Sequence, residues 1–235
     1  MESPPPVIIS VGTTRPIHYG IVLYPAFQAL DAFGPLEILN IVSTRHLINL
    51  SIIASSKEPV STFCPPGDHN PLTSQCSQSV VPTHTFSSPP ADLEVLIVPG
   101  GFGSREPYIK ETVDFIARVY PSLKYLITVC TGSLVVARTG ILDGRRATTN
   151  KMAYRKIAEW VPSVEWVPKA RWVVDGNIWS GSGLSAGMDV VLAFVEKVYG
   201  KEEARYVADA MEYERHTDPG WDPFSKAPSG DGAGS

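Results

Sequence analysis

Residues 125–142 read YLITVCTGSLVVARTGIL, and the hydrophobic pattern changes character in the middle of the segment. Tyr125 to Val129 is a run of strand length, apolar but for Thr128, the pattern of a strand buried on both faces. From Thr131 onward the small and apolar residues suit a helix that extends to Leu142. Cys130 stands at the junction with Gly132 two positions on, a relaxed form of the tight nucleophile turn that joins a strand to a helix.

The same pattern recurs upstream. Leu93 to Val98 (LEVLIV) runs into Pro99, Gly100, Gly101 and Gly103 before a helical segment expected from Glu106 to Tyr120. Tyr19 to Tyr24 (YGIVLY) ends at Pro25, and a helix follows Asp31, with Phe33, Leu36, Leu39 and Val42 at helical spacing. Ile48 to Ala54 reads as another strand, and residues 56–92 as loops with short strands such as 79–86. Downstream, Arg171 to Ser180 reads as a hairpin turning at Asp175-Gly176, followed by helices over 185–199 and 201–215. Strands alternating with helices imply right-handed crossovers, a mostly parallel sheet and helices on both faces: a three-layer α/β sandwich. The expected organisation is a Pro-rich leader over 1–16, one domain over 17–216 and a tail over 217–235.

Composition narrows the function. With 43% hydrophobic and 19% charged residues the chain of 235 residues can bury a sizeable core. A net charge of −4 leaves no basic excess for nucleic acid or anionic lipid. The longest apolar stretch, Val190 to Val195, falls far short of the roughly 18 residues that cross a bilayer. The N-terminus has a Pro run where a signal peptide carries basic residues. Cys64, Cys76 and Cys130 are a sparse, odd set that suits a reducing compartment, so a cytoplasmic location is expected. Cys64, His69, Cys76 and His84 match no common zinc spacing, and neither metal nor cofactor is expected. Gly181-Ser182-Gly183-Leu184-Ser185-Ala186 fits G-x-G-x-x-A, but no second parallel strand or ribose-binding acid follows it. Trp160, Trp166, Trp172 and Trp179 suit core or dimer packing, or one wall of an apolar pocket.

Sites in open parallel sheets lie at the carboxyl ends of strands. That rule selects Asp31, Gly100-Gly101 and Cys130-Thr131-Gly132. Cys130 reads either as a small buried hydrophobe or as a nucleophile whose thiolate is favoured by the helix N-terminus beneath it. Asp31 reads either as an N-cap or as an acid–base group. Glu37, further along that helix, reads as a structural or solvated position.

The strings LDAFGPLEIL (30–39), VPGGFG (98–103), TVCTGSLVVARTGILDGRRATTN (128–150) and SGSGLSAGMD (180–189) together resemble the ThiJ/PfpI superfamily, related to class I glutamine amidotransferases. Within it the likeness is to isocyanide hydratases. The resemblance spans about residues 17–215. It implies Cys130 as nucleophile, Asp31 as its acidic partner, and the Gly101 and Thr131 N–H groups as an anion hole beside Gly100. Asn150 and Gly183 are expected at the pocket. It further implies a small-molecule substrate and a homodimer. Many members carry His where this chain has Asn150, and His18, His46, His69, His84 and His216 all fall away from the expected strand ends. Chemistry that needs a His base loses support, whereas hydration of an isocyanide through a thioimidate can be run by a carboxyl group alone. The alternatives are a glyoxalase-type lyase and a non-catalytic, redox-responsive or ligand-binding protein built on Cys130.

Overall fold

The computed structural model describes residues 15–105 and 109–226. Its centre is a seven-stranded sheet formed by β1 (His18–Val22), β2 (Asn49–Ala54), β5 (His84–Thr85), β6 (Val95–Val98), β7 (Tyr125–Val129), β10 (Trp172–Asp175) and β11 (Ile178–Gly181). The spatial order is β10-β11-β7-β6-β1-β2-β5; every pairing is parallel except β10 with β11. The continuous apolar runs read from the sequence are the central strands. Val95, Leu96, Ile97 and Val98 are completely buried, as both-face coverage requires.

Helices α1 (Ala29–Ser43), α5 (Leu184–Tyr199) and α6 (Lys201–Ala210) pack together on one face. Helices α2 (Lys110–Val119) and α3 (Gly132–Ala137) pack together on the other, completing the three layers. Two further pairs, β3 (Val60–Ser61) with β4 (Ser79–Val80) and β8 (Arg146–Ala147) with β9 (Glu165–Trp166), sit outside the main sheet. A short helix, α4 (Tyr154–Trp160), which the sequence reading missed, lies between β8 and β9. Among the described residues no helix is long and apolar enough to cross a membrane.

The crossover from β1 leads to β2 on one side, and that from β6 leads to β7 on the other, while β1 and β6 are themselves neighbours. The loops leaving these two strands therefore diverge, and the crevice between them is the switch point where parallel sheets bind ligands. Here the Gln28 N–H donates to the Gly100 carbonyl at 2.8 Å, and Phe27 and Gly101 form an isolated antiparallel bridge.

Several boundaries differ from the expectations. Asp31 is inside the first turn of α1, and Gln28 occupies the cap position, so Asp31 is not an N-cap. Helix α3 stops at Ala137 rather than Leu142. Helix α6 stops at Ala210 rather than Arg215, because Glu212 enters the left-handed region (φ 49°) and the Tyr213 N–H reaches back to the Ala208 carbonyl, closing the helix in a Schellman-type turn. The expected start of α2 at Glu106 lies outside the described residues; Phe102–Arg105 form a 3-10 turn. The hairpin loop is Gly176-Asn177, with Asp175 paired to Ile178.

The expected tail begins with a docked segment. The Arg171 N–H donates to the Pro219 carbonyl at 2.7 Å, His216 stacks on Trp221, and Asp222 is buried against Lys151 at 3.3 Å.

Candidate active site

Cys130 sits at the end of β7 with φ 56°, a conformation that is uncommon outside glycine and is tolerated only where surroundings enforce it. Here they do. Its N–H donates to the Gly181 carbonyl at 3.2 Å, and its own carbonyl accepts from the Ser133 and Thr149 hydroxyls, each at 3.1 Å. The turn also needs a residue without a side chain at 132, since a Cβ on Gly132 would run into the Val98 and Pro99 backbone.

Three groups converge on the sulfur: the Thr131 N–H, the Asn150 side-chain amide and the Asp31 carboxyl. Asp31 comes from α1 and is fully buried. Its Oδ2 accepts the Gly100 N–H at 3.0 Å, while Oδ1 is buried without a hydrogen-bond donor of standard geometry. Burial dominates the electrostatics of the pair. Loss of solvation pushes the Asp31 carboxyl up to about 7, against the opposing pull of the Gly100 N–H and the Cys130 thiol. Burial, reinforced by the Asp31 charge, pushes the Cys130 thiol well above its ordinary range. The expectation that a helix N-terminus lowers this thiol is therefore corrected: α3 is only six residues long, and desolvation outweighs it.

Thr131 does more than cap the elbow. Its Oγ1 accepts the Gly101 N–H at 3.0 Å and lies 3.0 Å from the Ser104 hydroxyl, which donates to the Gly101 carbonyl at 2.7 Å. The Gly101 N–H is thus engaged within the protein rather than presented as half of an anion hole. Gly100 likewise spends its N–H on Asp31. Ser104 was invisible to the sequence reading because it belongs to no strand end. Asn150 takes the Met152 N–H on Oδ1 at 3.0 Å, which leaves its amide nitrogen for the sulfur. A Cβ on Gly183 would stand 3.7 Å from that nitrogen, so Gly183 borders Asn150.

A cavity of about 610 Å³ opens over Cys130, Thr131 and Asn150. Its wall is largely apolar, from Phe102, Met152, Ala153, Ile157, Trp160 and Leu184, with Arg105, Lys156 and Glu159 among the charged residues at the lining. Of the tryptophans, Trp172 and Trp179 are core, whereas Trp160, 53% exposed, belongs to the cavity. Glu37 is exposed on α1. One histidine does reach the site: His69, from the loop between β3 and β4, lines the cavity and stacks on Phe102 with ring centroids 4.8 Å apart. It is not among the groups acting on the sulfur. Among the described residues no group of three or more His, Cys, Asp or Glu is placed to hold a metal ion.

Comparison with known proteins identifies related chains. The profile of the DJ-1/PfpI family matches residues 20–197. Isonitrile hydratase of Pseudomonas putida is 34% identical over 200 residues, covering 84% of this chain and 78% of that protein. The HTH-type transcriptional regulator GbdR of Pseudomonas aeruginosa is 29% identical over 204 residues, 86% of this chain, which spans about half (52%) of the regulator's length. Among solved structures, a ThiJ/PfpI family protein from Pseudomonas syringae superposes with a TM-score of 0.71 at 27% identity, covering 92% of this chain and 83% of that one.

Proposed function

The chain belongs to the DJ-1/PfpI family, and from that premise we propose that it is a cysteine-dependent hydro-lyase that adds water to an isocyanide and releases an N-substituted formamide. The observation that carries this reading is the buried pair of Cys130 and Asp31 with an amide, Asn150, rather than an imidazole at the sulfur. A carboxyl group held near 7 by burial exchanges protons readily at neutral pH, the property a lone acid–base group needs. The similarity to an isonitrile hydratase supports the substrate class.

The Cys130–Asp31 pair enters the reaction holding one proton. With that proton on Asp31, the sulfur attacks the terminal isocyanide carbon, and Asp31 delivers the proton to the same carbon, giving a thioimidate, R–N=CH–S–Cys130. Asp31, now a carboxylate, takes a proton from water as the hydroxide adds to the carbon, and passes that proton to nitrogen. The adduct R–NH–CH(OH)–S–Cys130 then loses its hydroxyl proton to Asp31 as the C–S bond breaks. Formamide leaves, and the pair again holds one proton. The Thr131 N–H and the Asn150 amide, both aimed at the sulfur, stabilise it as attacking and leaving thiolate. No step draws on the Gly101 N–H, and the chemistry requires neither metal nor cofactor. We include a homodimer in the proposal: Leu30 and Phe33, exposed on α1 on either side of the buried Asp31, are apolar side chains that a partner would cover.

The test is turnover of a panel of alkyl and aryl isocyanides beside methylglyoxal. Formamide production that is abolished in Cys130→Ala supports the reading. Turnover of methylglyoxal alone would replace it with the glyoxalase-type alternative.

A further inference from the structure

Two of the three cysteines stand outside the reaction. Cys64 is half-buried and Cys76 exposed, and no disulfide joins them. They lie on the two arms of the hairpin formed by β3 and β4, 12 positions apart in the sequence. That hairpin pairs Val60 with Val80 and Ser61 with Ser79, and the pairing carries on one step further: the Thr62 N–H donates to the Gln78 carbonyl at 2.9 Å, and the Gln78 N–H donates to the Thr62 hydroxyl, also at 2.9 Å. Two residues beyond, a continuation of that register would bring Cys64 opposite Cys76. Among the described residues no backbone hydrogen bond joins Cys64 to Cys76, so the arms at the cysteines are not held by the ladder itself.

A second observation agrees. Cys64 and Cys76 line one small cavity of about 280 Å³ together with Asn70. Asn70 is buried at the neck of the loop, donating through Nδ2 to the Cys64 carbonyl at 2.8 Å and to the Ser74 carbonyl at 3.0 Å, and accepting the Ser74 N–H on Oδ1 at 2.8 Å. The two arms are thus drawn together beside the cysteines without a covalent link. The small cavity shares Gln28, His69 and Phe102 with the cavity over Cys130. His69 stacks on Phe102 and meets the Arg105 guanidinium at 3.3 Å. Whatever fixes the loop over 65–75 therefore fixes one wall of the catalytic cavity.

We propose that Cys64 and Cys76 are a reversible disulfide site that, when oxidised, locks the His69–Phe102 wall of the Cys130 cavity. The oxidant is a small disulfide such as oxidised glutathione. The exposed Cys76 thiolate attacks it, forming a mixed disulfide and releasing one glutathione thiolate. The Cys64 thiolate then attacks the Cys76 sulfur, closing the intramolecular bond and releasing the second. Both cysteine protons end on the released glutathiones, and the two electrons lost by the pair reduce the oxidant.

The full chain carrying Cys130→Ala is incubated with oxidised glutathione and mapped by non-reducing peptide mass spectrometry. A Cys64–Cys76 cross-link that dithiothreitol reverses is expected. In the otherwise unaltered chain, oxidation is expected to slow labelling of Cys130 by a bulky maleimide about threefold or more while labelling by iodoacetamide changes little. The difference disappears in the Cys64→Ser, Cys76→Ser double variant. A stable glutathione adduct on Cys76 with no ring closure, or equal maleimide labelling before and after the cross-link forms, would overturn the proposal. Neither readout involves isocyanide turnover, so failure of the hydratase reading leaves this one standing.

Discussion

The Gly100 N–H is bonded to Oδ2 of Asp31 at 3.0 Å across 69 positions of sequence, and this contact ties the loop after β6 to the helix after β1. It is the bond that presents the carboxyl to the Cys130 sulfur. A Cβ on Gly100 would lie 2.5 Å from the Thr131 nitrogen and 2.9 Å from Asp31 Oδ2, a spacing that backbone cannot yield to. Gly100→Ala is therefore expected to lose activity to near background and to destabilise the fold by about 2 kcal/mol or more, in the range of strained core substitutions. Urea denaturation together with turnover measures both.

Replacement of Asp31 separates stability from catalysis. The carboxyl is raised from 3.8 to about 7 in the folded protein, so it favours folding least once it must ionise inside. Below pH 4 both states are neutral and no penalty applies. Between about 4 and 7 the unfolded chain ionises alone, and stability is lost as pH rises through the folded value; above 7 the loss is complete. Asp31→Asn escapes that loss, so it is expected to be more stable than the parent at pH 8 by a few kcal/mol, at about 1.4 kcal/mol per unit, and equal near pH 4. The proposed isocyanide hydration is expected to fall on the order of 10²- to 10⁴-fold in this variant. Thermal melts across that pH range check the first outcome, and steady-state rates the second.

The proposed hydration predicts a pH profile of turnover with the signature of a pair without histidine. Below about 7 the pair holds two protons and no nucleophile; above it, one proton remains and the sulfur–carboxyl tautomer can form. The expected kcat/KM profile rises through about pH 7 and stays level to at least pH 9, because the thiol is pushed far upward. A symmetric bell centred between 6 and 8 would point to a second titrating group.

Lys151, next in sequence to Asn150, places its Nζ 3.3 Å from Asp222 and 2.6 Å from the Thr148 hydroxyl. Both members of the ion pair are buried, and burial pulls the Lys151 ammonium below its ordinary range. Asp222→Ala is expected to cost about 3–5 kcal/mol by leaving a buried charge without its partner, and to weaken the hold on Asn150. The double variant Lys151→Met, Asp222→Leu is expected to recover most of that stability. Denaturant midpoints of the two variants decide the point.

Self-association is checked by light scattering. A mass near twice the chain's 25.5 kDa is expected at micromolar concentration, and Phe33→Glu on α1 is expected to shift it toward the single chain.

The order of strands and helices, the three layers and the elbow at Cys130 are legible in the sequence because each depends on local pattern: unbroken apolar runs for strands buried on both faces, small residues where the chain turns tightly. The strand-end rule also picks out Asp31, Gly100, Gly101 and Cys130 from the sequence alone. What those groups do to one another is a matter of tertiary structure. Burial raises both Asp31 and Cys130, reversing the thiolate expected from a helix N-terminus, and no local signal encodes how much water a fold excludes. Thr131 Oγ1 occupies the Gly101 N–H, His69 arrives from a loop that has no periodicity, and Asp222 anchors a segment that reads as a tail. Periodicity records which face of an element is apolar; it carries no record of which polar groups, tens of residues apart, meet once those faces are packed.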